Sequence, residues 1–287
     1  MQQESTNITQ LVALKAAGVN NLYPTSGIFF EHGPKVVGTR GVKPLVLRSD
    51  WQARWTAAAA ELAPLLNNGT IMGFFLGDEL VWNCLEYPML ETAANAVRAS
   101  FPRETGAIIW TNAAAAMGLK DNYRTGKRDV CNLKHLDYRI PSALDWYSID
   151  LYHMDGTVEG WVDTHVKAFY EDWIFPNLTD TQTAVLVPGS FGSVVNHYPN
   201  GTYVCDRDCY DDMCAHDAAD FYAWASADAR VSAIAVWNWG GCGPSCAGSK
   251  WTPPHTCCMD EIGTNDMPKA RAAWAAIGKR IKGEGGG

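Results

Sequence analysis

Apolar positions along the chain fall into two kinds of segment that take turns. One kind has helical spacing: Asn7 to Gly18, Trp51 to Gly69, Pro88 to Phe101, Val158 to Ile174, Asp217 to Arg230 and Met267 to Lys282. The other kind is a short, near-continuous apolar run that closes on a polar or charged residue: Asn21 to Ser26, Lys43 to Asp50, Thr70 to Glu79, Gly106 to Asn112, Asp145 to His153, Thr183 to Ser190 and Ala233 to Gly241. Helical spacing buries one stripe of a helix, whereas a short continuous run suits a strand buried on both faces. Pro64 is expected to kink or shorten the helix that contains it. The link from Gly27 to Val42 shows no helical pattern.

Seven strands alternating with helices predict a parallel sheet covered by helices. A doubly wound open sheet and a closed barrel both satisfy that pattern. The chain has no GxGxxG and no GxxxxGK[ST], so the phosphate loop of a dinucleotide fold is missing. The strand ends instead carry Tyr23, Arg48 and Asp50, Asp78 and Glu79, Trp110 and Asn112, Asp150 and Tyr152, Ser190, and Trp237, Asn238 and Trp239. Polar and aromatic groups gathered at strand C-termini form the active face of a (β/α)8 TIM barrel. The expectation is therefore one barrel domain over residues 1–287, with 283–287 as a frayed tail and the strands numbered 2 to 8. Strand 1 is missing or irregular on that numbering.

Composition narrows the partners. The chain has 287 residues and a net charge of −8, and its 23 Lys and Arg are scattered without a basic run, which argues against a nucleic-acid surface. No apolar stretch approaches the ~18 residues of a membrane span, and Met1 to Asn20 lacks the charged-then-apolar order of a leader. Of nine cysteines, Cys205, Cys209, Cys214, Cys242, Cys246, Cys257 and Cys258 crowd the last third, which predicts disulfide-stapled loops. An odd number leaves at least one thiol free or paired elsewhere. Zinc is disfavoured, because no CxxC pair has a matching second pair. Sequons at Asn7, Asn68, Asn177 and Asn200 agree with a secreted or lumenal glycoprotein. The segment CDRDCYDDMC is read as a stapled acidic loop, since it lacks the glycine and terminal glutamate of a calcium hand. The histidines pair with no motif serine, so a Ser-His-Asp hydrolase is unsupported. No metal and no organic cofactor are expected, and the oligomeric state is not readable.

The chemistry concentrates in GDELVWNCL. Two adjacent carboxylates at the end of a buried strand repel, and such a pair drives its two pKa values apart. That suits glycoside cleavage, where one acid protonates the leaving oxygen and a second carboxylate supports the charge that develops on the sugar. A cap on the following turn is the structural alternative for both. Gly77-Asp78-Glu79 after an apolar strand, with strand-end Trp and Tyr around it, resembles the strand-4 acid of TIM-barrel glycoside hydrolases. In the β-hexosaminidase family a Gly-Asp-Glu at that place supplies a Glu acid and an Asp that orients the substrate's acetamido group. The large retaining clan places an Asn-Glu pair there and a second Glu on strand 7; TAVLVPGSFG has none, so that mechanism does not carry over.

The resemblance implies a hydrolase acting on an oligo- or polysaccharide, either β-linked or containing N-acetylhexosamine, with Glu79 as general acid and Asp78 as its tuning or substrate-orienting neighbour. A catalytically silent, lectin-like barrel is the alternative. Asp150 is the first candidate for a second carboxylate, because alternation along DWYSIDLYH puts Trp146, Ser148, Asp150 and Tyr152 on one side. Asp50, paired with Arg48, is the fallback. Trp237 and Trp239, flanking Asn238, are candidate sugar platforms, with Trp110, Asn112, Tyr147 and Tyr152 as further substrate contacts.

Overall fold

The computed structural model describes residues 8–16, 22–34, 43–114, 139–152, 160–193, 207–237 and 261–283. Its elements are α1 (Ile8–Ala16), β1 (Leu22–Pro24), α2 (Ser26–Phe29), β2 (Phe30–His32), β3 (Leu45–Leu47), α3 (Trp51–Asn67), β4 (Gly73–Asp78) and α4 (Tyr87–Ser100). After these come β5 (Ile108–Ala114), β6 (Trp146–Asp150), β7 (Thr183–Leu186), β8 (Phe191–Ser193), α5 (Arg207–Ala227), β9 (Val231–Ile234), β10 (Glu261–Gly263) and α6 (Pro268–Ile281). Among the described residues the main sheet has six strands in the order β1-β4-β5-β6-β7-β9. The strand and helix alternation is consistent with an incomplete, irregular barrel, one strand short of the seven expected in the sheet.

The strand predicted at Lys43 to Asp50 is one source of the difference. Its apolar core, Leu45–Leu47, does not enter the main sheet but pairs antiparallel with β2, as Phe30↔Leu47, Glu31↔Val46 and His32↔Leu45. All three β3 residues are only half-buried, whereas a central parallel strand is covered on both faces. Disulfide stapling is corrected at Cys214, whereas Cys84 and Cys209 are each disulfide-bonded. No disulfide joins two of the described cysteines, and of these Cys214 alone is a free thiol. Cys205, Cys242, Cys246, Cys257 and Cys258 lie outside the described residues.

The chain divides into two compact units, and each has its own core. The first comprises Gln3–Ile149 and Pro176–Ala184. Here β1 runs parallel to β4 (Leu22↔Gly73, Pro24↔Phe75) and β4 parallel to β5 (Gly73↔Ile108, Asp78↔Asn112). Helix α3 buries Trp55, Leu62 and Leu65, and α4 buries Leu90, Ala93, Ala94 and Val97. An aromatic cluster joins them to the sheet: the Trp55 ring lies 5.2 Å from that of Phe29 and 5.6 Å, edge-on, from Phe74, which stands 4.6 Å from Phe101. Rings at these distances add about 0.5–1.5 kcal/mol per pair beyond their burial. Pro64 lies inside α3, which runs through it to Asn67. At the opposite end of the strands from Asp78, Asp145 accepts hydrogen bonds from the Arg98 guanidinium, from Arg103 Nε (3.2 Å) and from the Ile109 amide (2.8 Å).

The second unit comprises Asp150–Phe175 and Val185–Gly287, with Met1–Gln2. Much of the segment expected as a helix from Val158 to Ile174 takes the wider π-helical winding, over Val162–Lys167 and Tyr170–Ile174. The segment read as an acidic loop is helical from Arg207 onward. Tyr210, Met213 and Cys214 recur at helical spacing and pack with Met267 and Ala270 of α6. Asp211, between them, accepts from the amides of Lys269 (3.1 Å) and Ala270 (2.8 Å), capping the first turn of α6 from the neighbouring helix. Burial pushes the Cys214 thiol up to about 12, and the Asp217 carboxylate adds to the rise.

Candidate active site

The C-terminal end of β4 departs from a regular strand. Its pairing with β5 shifts register between Phe75 and Asp78. Gly77 has φ 147, a conformation that side chains rarely adopt, and a Cβ there would stand 2.7 Å from Leu80 Cδ2, so a larger residue would be strained and would have to displace the Leu80 tip. Glu79 follows at φ 46, the left-handed region that costs a residue with a Cβ about 1–2 kcal/mol. Bulges beside active sites re-aim side chains in this way. Strict alternation would send Asp78 and Glu79 to opposite faces, and the turn at Glu79 breaks it.

The strained residue is held from both sides. The Glu79 amide donates to the Asn112 carbonyl (2.9 Å). Its own carbonyl accepts from both the amide (2.9 Å) and the side-chain Nδ2 (3.0 Å) of Asn83. Asn83 is fixed in turn, because its carbonyl accepts from the Leu45 amide of β3 at 2.9 Å. The β2–β3 hairpin, misplaced by the sequence pattern, thus props the turn that carries Glu79. Strain of this kind persists only where the surroundings over-determine it.

Asp78 sits at the end of a buried polar chain. Trp110 Nε1 donates to Ser148 Oγ (2.8 Å), Ser148 Oγ donates to Asn112 Oδ1 (2.6 Å), and Asn112 Nδ2 donates to Asp78 Oδ1 (2.8 Å). Exposure is 5% at Trp110, 0% at Ser148 and 4% at Asn112. Thr111 Oγ1 donates to the Gly77 carbonyl (3.0 Å), which ties the adjoining strand to the distorted end of β4.

The structure brings together Asp78, Glu79, Trp110 and Asn112 of the residues singled out from sequence. Tyr147, on the same strand as Ser148, is buried. Arg48 and Asp50 pair with each other (3.0 Å), but as part of a solvent-facing network in which Arg48 also meets Glu31 (3.2 Å) and Asp50 meets Arg54 (2.7 Å). The Arg54 hydrogen bond, with that of Arg48, holds the Asp50 carboxyl below the usual carboxylate range. Asp150, Tyr152 and Trp237 belong to the second unit: Asp150 bridges Val187, Tyr152 packs edge-on against Phe191 at 5.1 Å, and Trp237 bridges Gly189. Asn238 and Trp239 lie outside the described residues.

Sequence reasoning passed over Ser148 and Asn83. Ser148 shares the parity of Asp150 and so had a signal; Asn83 had none. Among the described residues no group of three or more His, Cys, Asp or Glu side chains is placed to hold a metal ion, and no helix is long and apolar enough to cross a membrane.

Neither the known family models nor the curated proteins contain a match to this chain. Fifteen solved chains match by structure. Among them is the β-glucuronidase of Ruminococcus gnavus, at 10% identity and a TM-score of 0.40, over 66% of this chain and 29% of that one. Another is a GH113 β-mannanase of Alicyclobacillus acidocaldarius, at 14% identity and a TM-score of 0.41, over 79% of this chain and 62% of that one. This chain therefore spans less than two thirds of the length of either.

Proposed function

We propose that the chain is a glycoside hydrolase whose general acid is Glu79, with Asp78 as the carboxylate that orients the substrate. The supporting observation is the backbone at Glu79. A glutamate held at φ 46 by hydrogen bonds on both sides, next to a second acid at a strand end, is a cost that a merely structural turn avoids by using glycine. In this reading the glycosidic C–O bond breaks as Glu79 passes its proton to the departing oxygen. Positive charge develops at the anomeric carbon, and water then supplies hydroxide to that carbon and returns a proton to Glu79. Asp78 remains an acceptor, its Oδ1 aimed by the Asn112 amide, and is suited to hold a donor group of the sugar, an acetamido N–H included. The substrate is a β-linked glycan or one containing N-acetylhexosamine.

The test is a panel of aryl β-glycosides and β-N-acetylhexosaminides with wild type and Glu79→Gln. The expected loss of kcat is about 10²–10⁴-fold, with binding of an uncleaved oligosaccharide retained. Binding without turnover in wild type, unchanged in Glu79→Gln, would replace the enzyme with a silent carbohydrate-binding protein. No binding and no cleavage across the panel would sink both.

A further inference from the structure

We infer that Ser148, which touches neither acid, is the positioning residue that sets the aim of Asp78, acting through Asn112. The direction of the buried chain carries the inference. An indole N–H can only donate, so at 2.8 Å the Ser148 oxygen must accept from Trp110. A hydroxyl has one proton, and the neighbour at 2.6 Å that remains to receive it is Asn112.

Asparagine amides are ordinarily ambiguous, because oxygen and nitrogen look alike and can exchange places. Here they are not: the buried Ser148 proton would be left without an acceptor unless Oδ1 faced it, and the Asp78 carboxylate, itself an acceptor, takes Nδ2 at 2.8 Å. The polarity of a tryptophan on β5 is thus relayed through a serine on β6 and back to an asparagine on β5, and ends as an N–H directed at the carboxylate of β4. With its three upstream members at least 95% buried, water has little access to satisfy the groups in another arrangement. Asn112 also touches the second acid, since its carbonyl accepts the Glu79 amide. A rotated amide would therefore disturb the Asp78 contact while the backbone bond to Glu79 stayed in place.

The consequence for activity rests on the glycosidase reading; the orientation of Asp78 does not. The experiment reads the two separately. The titration of the Asp78 carboxyl is followed by carbon NMR in wild type, Ser148→Ala and Trp110→Phe, with Asp78→Asn to assign the resonance. An N–H bond to a carboxylate favours its charged form, so Ser148→Ala should raise the Asp78 midpoint by about half a unit or more, and Trp110→Phe should raise it less. With the best substrate of the panel, Ser148→Ala should lower kcat about tenfold and move the acid limb of the pH profile, with KM little changed.

A shifted midpoint in a chain that cleaves nothing keeps the relay and discards the glycosidase reading. An unshifted midpoint overturns the relay, even if activity falls through lost stability. Should Ser148→Ala not fold, Trp110→Phe alone decides, because it keeps an aromatic side chain there and removes the donor that fixes the serine. An Asp78 midpoint identical to wild type in that variant also overturns the inference.

Discussion

Asn112 Nδ2 lies 2.8 Å from Asp78 Oδ1, and the same residue's carbonyl takes the Glu79 amide at 2.9 Å. One asparagine, 4% exposed, thereby joins both acids to the neighbouring strand. Replacing it tests what the contact is worth.

Asn112→Asp keeps the shape and exchanges an N–H donor for a carboxylate set against Asp78. Two like charges at hydrogen-bond distance push the carboxyl pair upward in the folded state. The sign follows from linkage: a folded carboxyl raised above its unfolded value destabilises at high pH, and the penalty fades as pH falls and the pair takes up a proton. Urea unfolding should show a loss of about 2–4 kcal/mol at pH 7 that shrinks clearly at pH 4.5. An equal loss at both pH values would mean that the two side chains do not face each other.

Two glycines near the start of β4 and β5 should fail differently. A Cβ on Gly73 would fall 2.0 Å from the Ile108 carbonyl oxygen, a backbone atom that cannot step aside without parting the strands. Gly106 has open space around it but φ 74. Gly73→Ala should therefore cost 3 kcal/mol or more, beyond the ~1–3 of ordinary overpacking, and reduce soluble yield. Gly106→Ala should cost only the ~1–2 kcal/mol of a left-handed alanine. Thermal melts by circular dichroism rank the two, and the reverse order would contradict the β4–β5 register.

Long apolar runs were legible in the sequence because two-sided burial leaves no other composition. GFFLGD, IIWTNAA and WYSID all form strands of the main sheet. Leu45–Leu47 misled because three apolar residues suit a half-buried hairpin as well as a central strand, and nothing local separates the two. CDRDCYDDMC was misread because its charges hide a helical stripe. Tyr210, Met213, Cys214, Asp217 and Phe221 are all buried at spacings of three and four, two of them outside the quoted segment, so hydropathy alone dilutes the signal. At the site, the acids were visible because adjacent carboxylates at a strand end are conspicuous. The relay was not, since Ser148 lies 36 residues from Asn112 and only the sheet brings them together.

Cys214 offers a check on the second unit's core. It is 1% exposed and its thiol is raised to about 12 by burial, so at pH 8 it is both protonated and covered. Iodoacetamide should leave the peptide that carries it unlabelled in the native protein and label it fully in urea without reductant, as read by mass spectrometry. Rapid native labelling would place the thiol at the surface and dissolve the contact between α5 and α6.

Arg230 should govern acid stability in the same unit. Its guanidinium lies 3.8 Å over the Phe175 ring and is gripped by two carboxylates: Glu171, at 3.0 and 2.5 Å, and Asp228, at 2.9 and 2.7 Å. The Arg230 hydrogen bond brings the Asp228 carboxyl down to about 2 and lowers that of Glu171. A depressed carboxyl contributes stability that is complete above its unfolded value, near 4, and is lost as pH falls toward 2. Because Arg230 and Glu171 are nearly half exposed, screening limits the contribution to about 1 kcal/mol. Arg230→Ala should therefore be less stable than wild type at pH 7 and level with it at pH 2, its stability varying less across pH 4 to 2. Arg230→Lys keeps the charge without the fork and should fall between them. Parallel pH curves for wild type and Arg230→Ala, in urea melts at matched ionic strength, would show that the carboxylates are not held by this arginine.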